Sequence, residues 1–308
     1  MKKIFITGHK GMVGSVIFNK LIKKNKIYTI DKNRLNLIDQ KKTLDYFKKN
    51  RFDQIYMCAA KVGGIYANSK YSADFIYDNL QIQNNCIISA YKTGVKRILF
   101  LGSSCIYPKK SKIPIKEDYL LSGKLEKTNE AYAIAKIAGL KMCESFNKQF
   151  KTDFRTVMPT NLYGPNDNYD DQNSHVLAAL IKKIQYAKLN KKKKIIIWGN
   201  GLAKREFLHS SDFADACIKI MNISKKKYFD LTGKTNHFIN IGYGKDISIK
   251  DLAKLICKVA NYKCKIEYDK SKPNGTFRKL IDSSKLKKIN WSAKISLEKG
   301  IKSILDGN

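Results

Sequence analysis

Long apolar runs are missing from this 308-residue chain. None approaches the ~18 consecutive apolar residues needed to span a bilayer, so a membrane-crossing helix is excluded. Proline is scarce at five residues and glycine is limited to 18, which excludes collagenous and low-complexity chains. Paired cysteines are missing too: the seven thiols (58, 86, 105, 143, 217, 257 and 264) are odd in number, scattered, and form no C-x-x-C. That argues against a disulfide framework and a zinc site, so reduced thiols and no metal are expected. The amino terminus, Met1 to Gly8, opens like a secretion signal but breaks at once into glycines and charges, and a cytoplasmic chain is expected. No internal period of roughly 20–50 residues recurs, which excludes a repeat architecture.

Arginine is the other scarcity. Basic residues number 60 against 26 acidic ones, for a net charge of +34, yet only positions 34, 51, 97, 155, 205 and 278 are arginine. Arginine is the side chain that reads phosphates and guanine edges in a bidentate fork. The lysines are spread along the chain, with one dense run at Lys191-Lys192-Lys193-Lys194. A nucleic-acid partner is therefore not expected, and the charge reads as a solvated surface that still draws in anionic substrates. Apolar residues at 43% and aromatics at 11% supply a packed core and exclude disorder. The length suits two domains better than one.

The first half alternates strand and helix patterns, the signature of a parallel sheet covered on both faces. Strands are predicted at 3–7, 26–30, 54–59, 97–102 and 154–158, with helices at 12–24, 40–49, 71–92 and 129–150. After Pro165 the rhythm changes: a polar loop (166–173), a helix at 176–187, a strand at 195–198, and a turn at Gly199-Asn200-Gly201. Ser211-Asp212 offers cap chemistry for a helix to Met221, a strand follows at 238–241, and Ser248-Ile-Lys-Asp251 resembles a capping box. The fold class is α/β: a Rossmann-type doubly wound parallel sheet with a smaller, discontinuous C-terminal substrate domain. Residues 1–163, with about 207–243, are assigned to the dinucleotide-binding domain; about 164–206 and 244–308 form the second.

Gly8-His9-Lys10-Gly11-Met12-Val13-Gly14 spells G-x-x-G-x-x-G between the first strand and helix. Early glycines permit a turn and close approach to a pyrophosphate, the last lets helix and strand pack, and the helix amino terminus favours negative charge. Asp31, after the second strand, suits the ribose hydroxyls of NAD, whereas Lys10, Lys32 and Arg34 suit the 2′-phosphate of NADP. These residues alone leave the choice open.

Tyr132-Ala-Ile-Ala-Lys136 places a phenol and an ammonium one turn apart on a helix face. The lysine is expected to lower the phenol's pKa, so that it exchanges a proton near neutrality. Ser103, in Gly102-Ser103-Ser104-Cys105-Ile106-Tyr107-Pro108, follows the fourth strand at the carboxyl edge and can bond a carbonyl oxygen beside Tyr132. Glycine loop, strand-end serine and Y-x-x-x-K in this order resemble the extended short-chain dehydrogenase/reductase superfamily, which implies action on nucleotide sugars.

Longer stretches narrow the resemblance. Ala59-Ala60-Lys61-Val62-Gly63-Gly64-Ile65, Gly102 to Pro108, Tyr132 to Gly139, Met158-Pro-Thr-Asn-Leu-Tyr-Gly-Pro165, Asn173-Ser-His175, Arg205-Glu-Phe-Leu-His209 and Ser271-Lys-Pro-Asn-Gly-Thr-Phe-Arg-Lys279 are similar to the GDP-L-fucose synthase family. The resemblance runs over essentially the whole chain. It implies epimerisation at C3 and C5 of GDP-4-keto-6-deoxy-D-mannose and then NADPH-dependent reduction at C4, by a homodimer. It implies catalytic roles for Ser103, Tyr132, Lys136, Cys105 (base) and His175 (acid). It implies NADP(H) contacts at Gly8, His9, Lys10, Gly11, Met12, Val13, Gly14, Lys32, Arg34, Leu101, Gly102, Ser103, Ser104, Lys136, Pro159, Thr160, Asn161, Leu162 and His175. Substrate contacts are implied at Lys183, Trp198, Arg205 and Lys279. Three positions depart from the family pattern: Asp31, Lys10 where arginine is common, and Asn274 where aspartate is usual. Two other readings compete: a related 4-epimerase or reductase that does not use Cys105 and His175, and a redox-sensing Rossmann protein that binds nucleic acid.

Overall fold

The computed structural model describes residues 1–170, 174–233, 236–272 and 275–307. Its first part runs β1 (Lys3–Thr7), α1 (Met12–Leu21), β2 (Lys26–Tyr28), α2 (Gln40–Asn50), β3 (Gln54–Met57), α3 (Ile65–Lys70), α4 (Ser72–Lys92), β4 (Arg97–Leu101), α5 (Glu130–Phe150), β5 (Phe154–Pro159) and β6 (Asn161–Tyr163). It continues with α6 (Val176–Leu189), β7 (Lys194–Trp198), β8 (Lys204–His209), α7 (Ser210–Asn222), α8 (Lys225–Thr232) and β9 (Phe238–Ile241). The last elements are β10 (Asp246–Ser248), α9 (Ile249–Val259), β11 (Lys265–Asp269), β12 (Arg278–Lys279), α10 (Ser284–Lys287) and α11 (Leu297–Gly307).

Six strands form one parallel sheet in the order β2-β1-β3-β4-β5-β9. Period-two alternation sorts their side chains onto two faces. Phe5, Ile55, Met57, Ile98, Phe100 and Phe154 meet α2, α4 and α5 on one face. Ile4, Ile6, Tyr56, Leu99, Leu101 and Val157 meet α1, α7 and α8 on the other. The sheet is thus doubly wound, as its alternating sequence predicts. The chain steps outward from β1 to β2 and returns to β3 on β1's other side. That switch opens a crevice at the carboxyl ends of β1 and β3, where such sheets hold ligands.

A separate core gathers α6, α9 and α11 with Tyr163, Ile195, Ile197 and Phe207. Its strands are short: β8 joins β10 and β12 at one end and β6 at the other, while β11 pairs with β7. Leu286 and Ile289 instead join the core on the α1 and α7 face of the main sheet.

Several boundaries differ from the sequence reading. The strand expected to reach Ala59 ends at Met57, because the Ala59 N–H donates to the Thr7 hydroxyl (3.0 Å) and leaves the ladder. The helix expected to reach residue 24 ends at Leu21, where the chain turns through a Lys24 N–H to Leu21 carbonyl bond. The cap of α7 is His209, whose Nδ1 accepts from the Ser211 N–H (3.2 Å), not Ser211-Asp212. Asp212 instead accepts the main-chain N–H groups of Lys294 and Ile295. Ser248 caps α9 as expected, accepting from the Asp251 N–H (3.0 Å) and donating to its carboxylate.

Candidate active site

One cleft of about 1390 Å³ lies over the carboxyl ends of β1, β3, β4 and β5 and is closed on its far side by α6, β7 and β8. Drug-sized ligands occupy roughly 300–1,000 Å³, so this space suits a dinucleotide together with a second molecule.

The glycine loop forms the floor. Gly8 sits at φ +65° and packs on Ala59, where any Cβ would lie 2.8 Å from the Ala59 nitrogen. At Gly14 a Cβ would fall 2.2 Å from the Gly8 carbonyl oxygen, so only glycine lets α1 start this close to the strand. Gly11 occupies the cap position of α1 without a side chain, and no carboxylate lies in the helix's first turn. The helix end therefore faces the cleft with its N–H groups uncovered, which fits a pyrophosphate. His9, Lys10, Met12 and Val13 line the same floor.

Beyond β2, Asp31 is engaged. Its carboxylate meets Lys10 Nζ at 2.8 Å and His9 Nε2 at 3.6 Å, and the Lys10 hydrogen bond holds its pKa below the usual carboxylate range. Lys32 lines the cleft, whereas exposed Arg34 lies outside its wall and bonds through its backbone N–H to the Asp31 carbonyl (3.0 Å).

Ser103, Tyr132 and Lys136 converge. The Ser103 hydroxyl accepts from the Cys105 N–H (3.2 Å) and shares a hydrogen bond with the Tyr132 phenol. Lys136, on the same face of α5, donates to the Leu101 carbonyl (3.0 Å) and lies 5.7 Å from the Tyr132 ring centre. The expectation that lysine lowers the phenol's pKa is reversed in the free protein. Burial raises Tyr132, with the nearby Cys105 adding to it, and this outweighs the Ser103 hydrogen bond. Burial also pulls Lys136 down to about 8, so its own charge is only partly available to oppose that rise.

Cys105 sits in a single turn, Ser104–Ile106, with its sulfur turned into the cleft. The Asn129 side-chain Nδ2 points at that sulfur (3.1 Å), and Lys279 Nζ faces it at 3.9 Å. His175 stands at the N-cap position of α6 without a capping bond from its side chain, and it lines the same cleft. Its ring is open to the cleft, so the downward pull of the surrounding protein on its pKa acts in full only when ligand displaces water there.

Leu101, Gly102, Ser104, Pro159, Thr160, Asn161 and Leu162 line the cofactor side, and Lys183, Trp198, Arg205 and Lys279 the opposite side. Trp198 is 49% exposed and so is free of the core; it lines the cleft, and Lys272 Nζ lies 5.7 Å from its ring centre. Lys183 donates to the Ile196 carbonyl (2.6 Å). Strand alternation places Arg205 and Phe207 on the cleft and buries Glu206 behind them. Asn173 and Asn274 lie outside the described residues. Sequence reasoning missed Glu126, Thr128 and Asn129, which line the cleft beside Cys105. Their only sequence signal is that they immediately precede the Tyr132 motif.

A nucleotide-cradling turn beneath a Ser–Tyr–Lys set, at the carboxyl edge of a doubly wound sheet, defines the short-chain dehydrogenase/reductase class of enzymes. The chain belongs within that class to the NAD dependent epimerase/dehydratase family, whose model matches residues 4–242. It is 47% identical over 304 residues to the GDP-L-fucose synthase of Escherichia coli, covering 98% of this chain and 95% of that one. Among solved structures it is similar to a GDP-6-OMe-4-keto-L-xylo-heptose reductase from Campylobacter jejuni, with a TM-score of 0.93, 36% identity, and 99% and 97% of the two chains covered. A GDP-mannoheptose C4 reductase from Campylobacter jejuni with NADP bound gives a TM-score of 0.90, 37% identity and the same coverage.

Proposed function

We propose that this protein is a GDP-L-fucose synthase, converting GDP-4-keto-6-deoxy-D-mannose to GDP-L-fucose by 3,5-epimerisation and NADPH-dependent reduction at C4. The family resemblance and the 47% identity to the Escherichia coli enzyme support it. The observation that carries it is the presence of Cys105 and His175 in the cleft that holds Ser103, Tyr132 and Lys136. A simple ketone reductase needs only the last three.

A C4 ketone acidifies the hydrogens on C3 and C5. The Cys105 thiolate removes such a proton, breaking C–H and forming S–H, while Ser103 and Tyr132 hydrogen-bond the enolate oxygen. His175 returns a proton to the opposite face, inverting the centre. Bound NADPH supplies the hydride for C4. Tyr132 protonates the resulting alkoxide, and Lys136 holds the nicotinamide ribose and replenishes the proton. Lys183, Arg205 and Lys279 hold the diphosphate, and Trp198 packs against the nucleotide. The family resemblance supports a homodimer acting in the cytoplasm. No helix among the described residues is long and apolar enough to cross a membrane.

The test is mass spectrometry of GDP-4-keto-6-deoxy-D-mannose incubated with the enzyme in D2O, first without reductant and then with NADPH. Deuterium at C3 and C5, followed by NADPH oxidation, is expected. Cys105→Ser and His175→Gln are expected to slow deuterium uptake by about a hundredfold, the scale of a lost acid or base. The two Campylobacter reductases favour a second reading, C4 reduction alone, which predicts NADPH oxidation without deuterium uptake.

A further inference from the structure

Asn129 stands at the cap position of α5, yet its side chain makes no capping bond. Asparagine there ordinarily accepts from the second or third N–H of the helix. Here the amide is turned away, toward Cys105, with Nδ2 3.1 Å from the sulfur. The turn leaves Oδ1 buried with no partner. A helix start has forgone its cap and stranded a buried oxygen in order to aim one N–H at one thiol. Local rules broken without a compensating structural gain mark functional positions. Lys279 approaches the same sulfur from another strand at 3.9 Å.

We propose that Asn129 is the positioning residue for Cys105, holding the sulfur toward the sugar and donating to it in the thiolate form. This rests on the reading of Cys105 as the epimerising base. An amide suits a base that must cycle. Nδ2 donates to the thiolate, and after proton capture a rotated amide accepts the S–H through Oδ1. An aspartate of the same size serves only the thiol and repels the thiolate.

The test compares wild-type protein with Asn129→Asp and Asn129→Ala. Alkylation of Cys105 by iodoacetamide, mapped by peptide mass spectrometry between about pH 6 and 10, needs no substrate. Both variants are expected to move the midpoint upward, Asp by about one pH unit, the scale of a lost hydrogen bond to a charged group. Deuterium uptake at C3 and C5 is expected to fall about tenfold or more, with NADPH affinity retained as the check on folding. Aspartate caps helices well, so the start of α5 survives the change. An unmoved midpoint in both variants overturns the proposal, even if turnover falls. If wild-type protein takes up no deuterium, the epimerase reading fails, and the alkylation midpoints still decide whether Asn129 governs the sulfur.

Discussion

Asp31 illustrates what a single side chain can mislead about. In sequence it stands where a carboxylate selects the ribose diol of NAD. In three dimensions it is tied to Lys10 at 2.8 Å, so the nearest cation of the glycine loop is shared with an anion. The residue type was legible; the pairing was not, because it joins the glycine loop to the end of a different strand. Asp31→Asn frees Lys10 and removes the competing charge. It is expected to raise the ratio of NADPH to NADH affinity by about tenfold at low salt, and less at high salt. Dissociation constants from nicotinamide fluorescence check this, and an unchanged ratio would show that the pair plays no part in cofactor choice. Asn129 belongs to the same scale: nothing in the stretch Lys127-Thr128-Asn129 says that its amide turns toward a thiol 24 residues earlier.

At the level of elements, apolar strands were legible and the short polar strands were not. The segments 3–7 and 97–102 are mostly apolar and became central strands, as did 154–158, where Arg155 and Thr156 are buried among apolar neighbours. By contrast β10, β11 and β12 are short and polar, and β12 is Arg278-Lys279 alone, so no periodicity announces them. A buried carboxylate fixes β10 and β12, while β11 is held by pairing with β7. Glu206 accepts the N–H groups of Gly244 (2.6 Å) and Ile281 (3.1 Å), while its own carbonyl accepts from Thr160 and Asn161. It therefore joins β8 to the loop before β10, to the segment after β12 and to the cofactor wall. Burial raises its pKa, and these donors oppose that rise. Glu206→Ala strands the Gly244 and Ile281 N–H groups at roughly 1–3 kcal/mol each, while the main-chain carbonyl that Thr160 and Asn161 reach stays in place. A loss of several degrees in Tm and weakened GDP binding are expected from calorimetry, and a Tm equal to wild type would refute the latch.

The whole molecule carries its charge and its thiols very differently. Arginine, scarce in sequence, is partly spent on structure: Arg155 is fully buried, with Asp153 on its Nε (2.7 Å) and Nη2 (2.9 Å), and its remaining donors reach the end of α7. Arg97 binds the same Asp153 (2.6 Å). The thiols set a pH limit. Burial pushes Cys58, Cys86 and Cys143 up to about 12 from an ordinary value of 9.0. The folded protein thus holds protons that the unfolded chain releases, so this stability is complete below pH 9 and is lost between 9 and about 12. Lys136, pulled down from 10.5 to about 8, works in the opposite sense, but it is one group against three. Thermal unfolding of the ligand-free, reduced protein is therefore expected to show Tm falling steadily above about pH 9. A flat profile would mean that the thiols are hydrated.

The sequence by itself determined the doubly wound sheet, the glycine turn and the types of side chain that line the cleft. Those follow from local rules: period-two and helical patterning, glycine at strained or crowded positions, and functional types placed at strand ends. Only the tertiary structure decided which groups face one another. It set Asn129 and Lys279 on Cys105, occupied Asp31 with Lys10 and raised Tyr132 through burial. Each of those outcomes depends on distances between segments far apart in the chain and on how much water remains between them, neither of which residue order encodes locally.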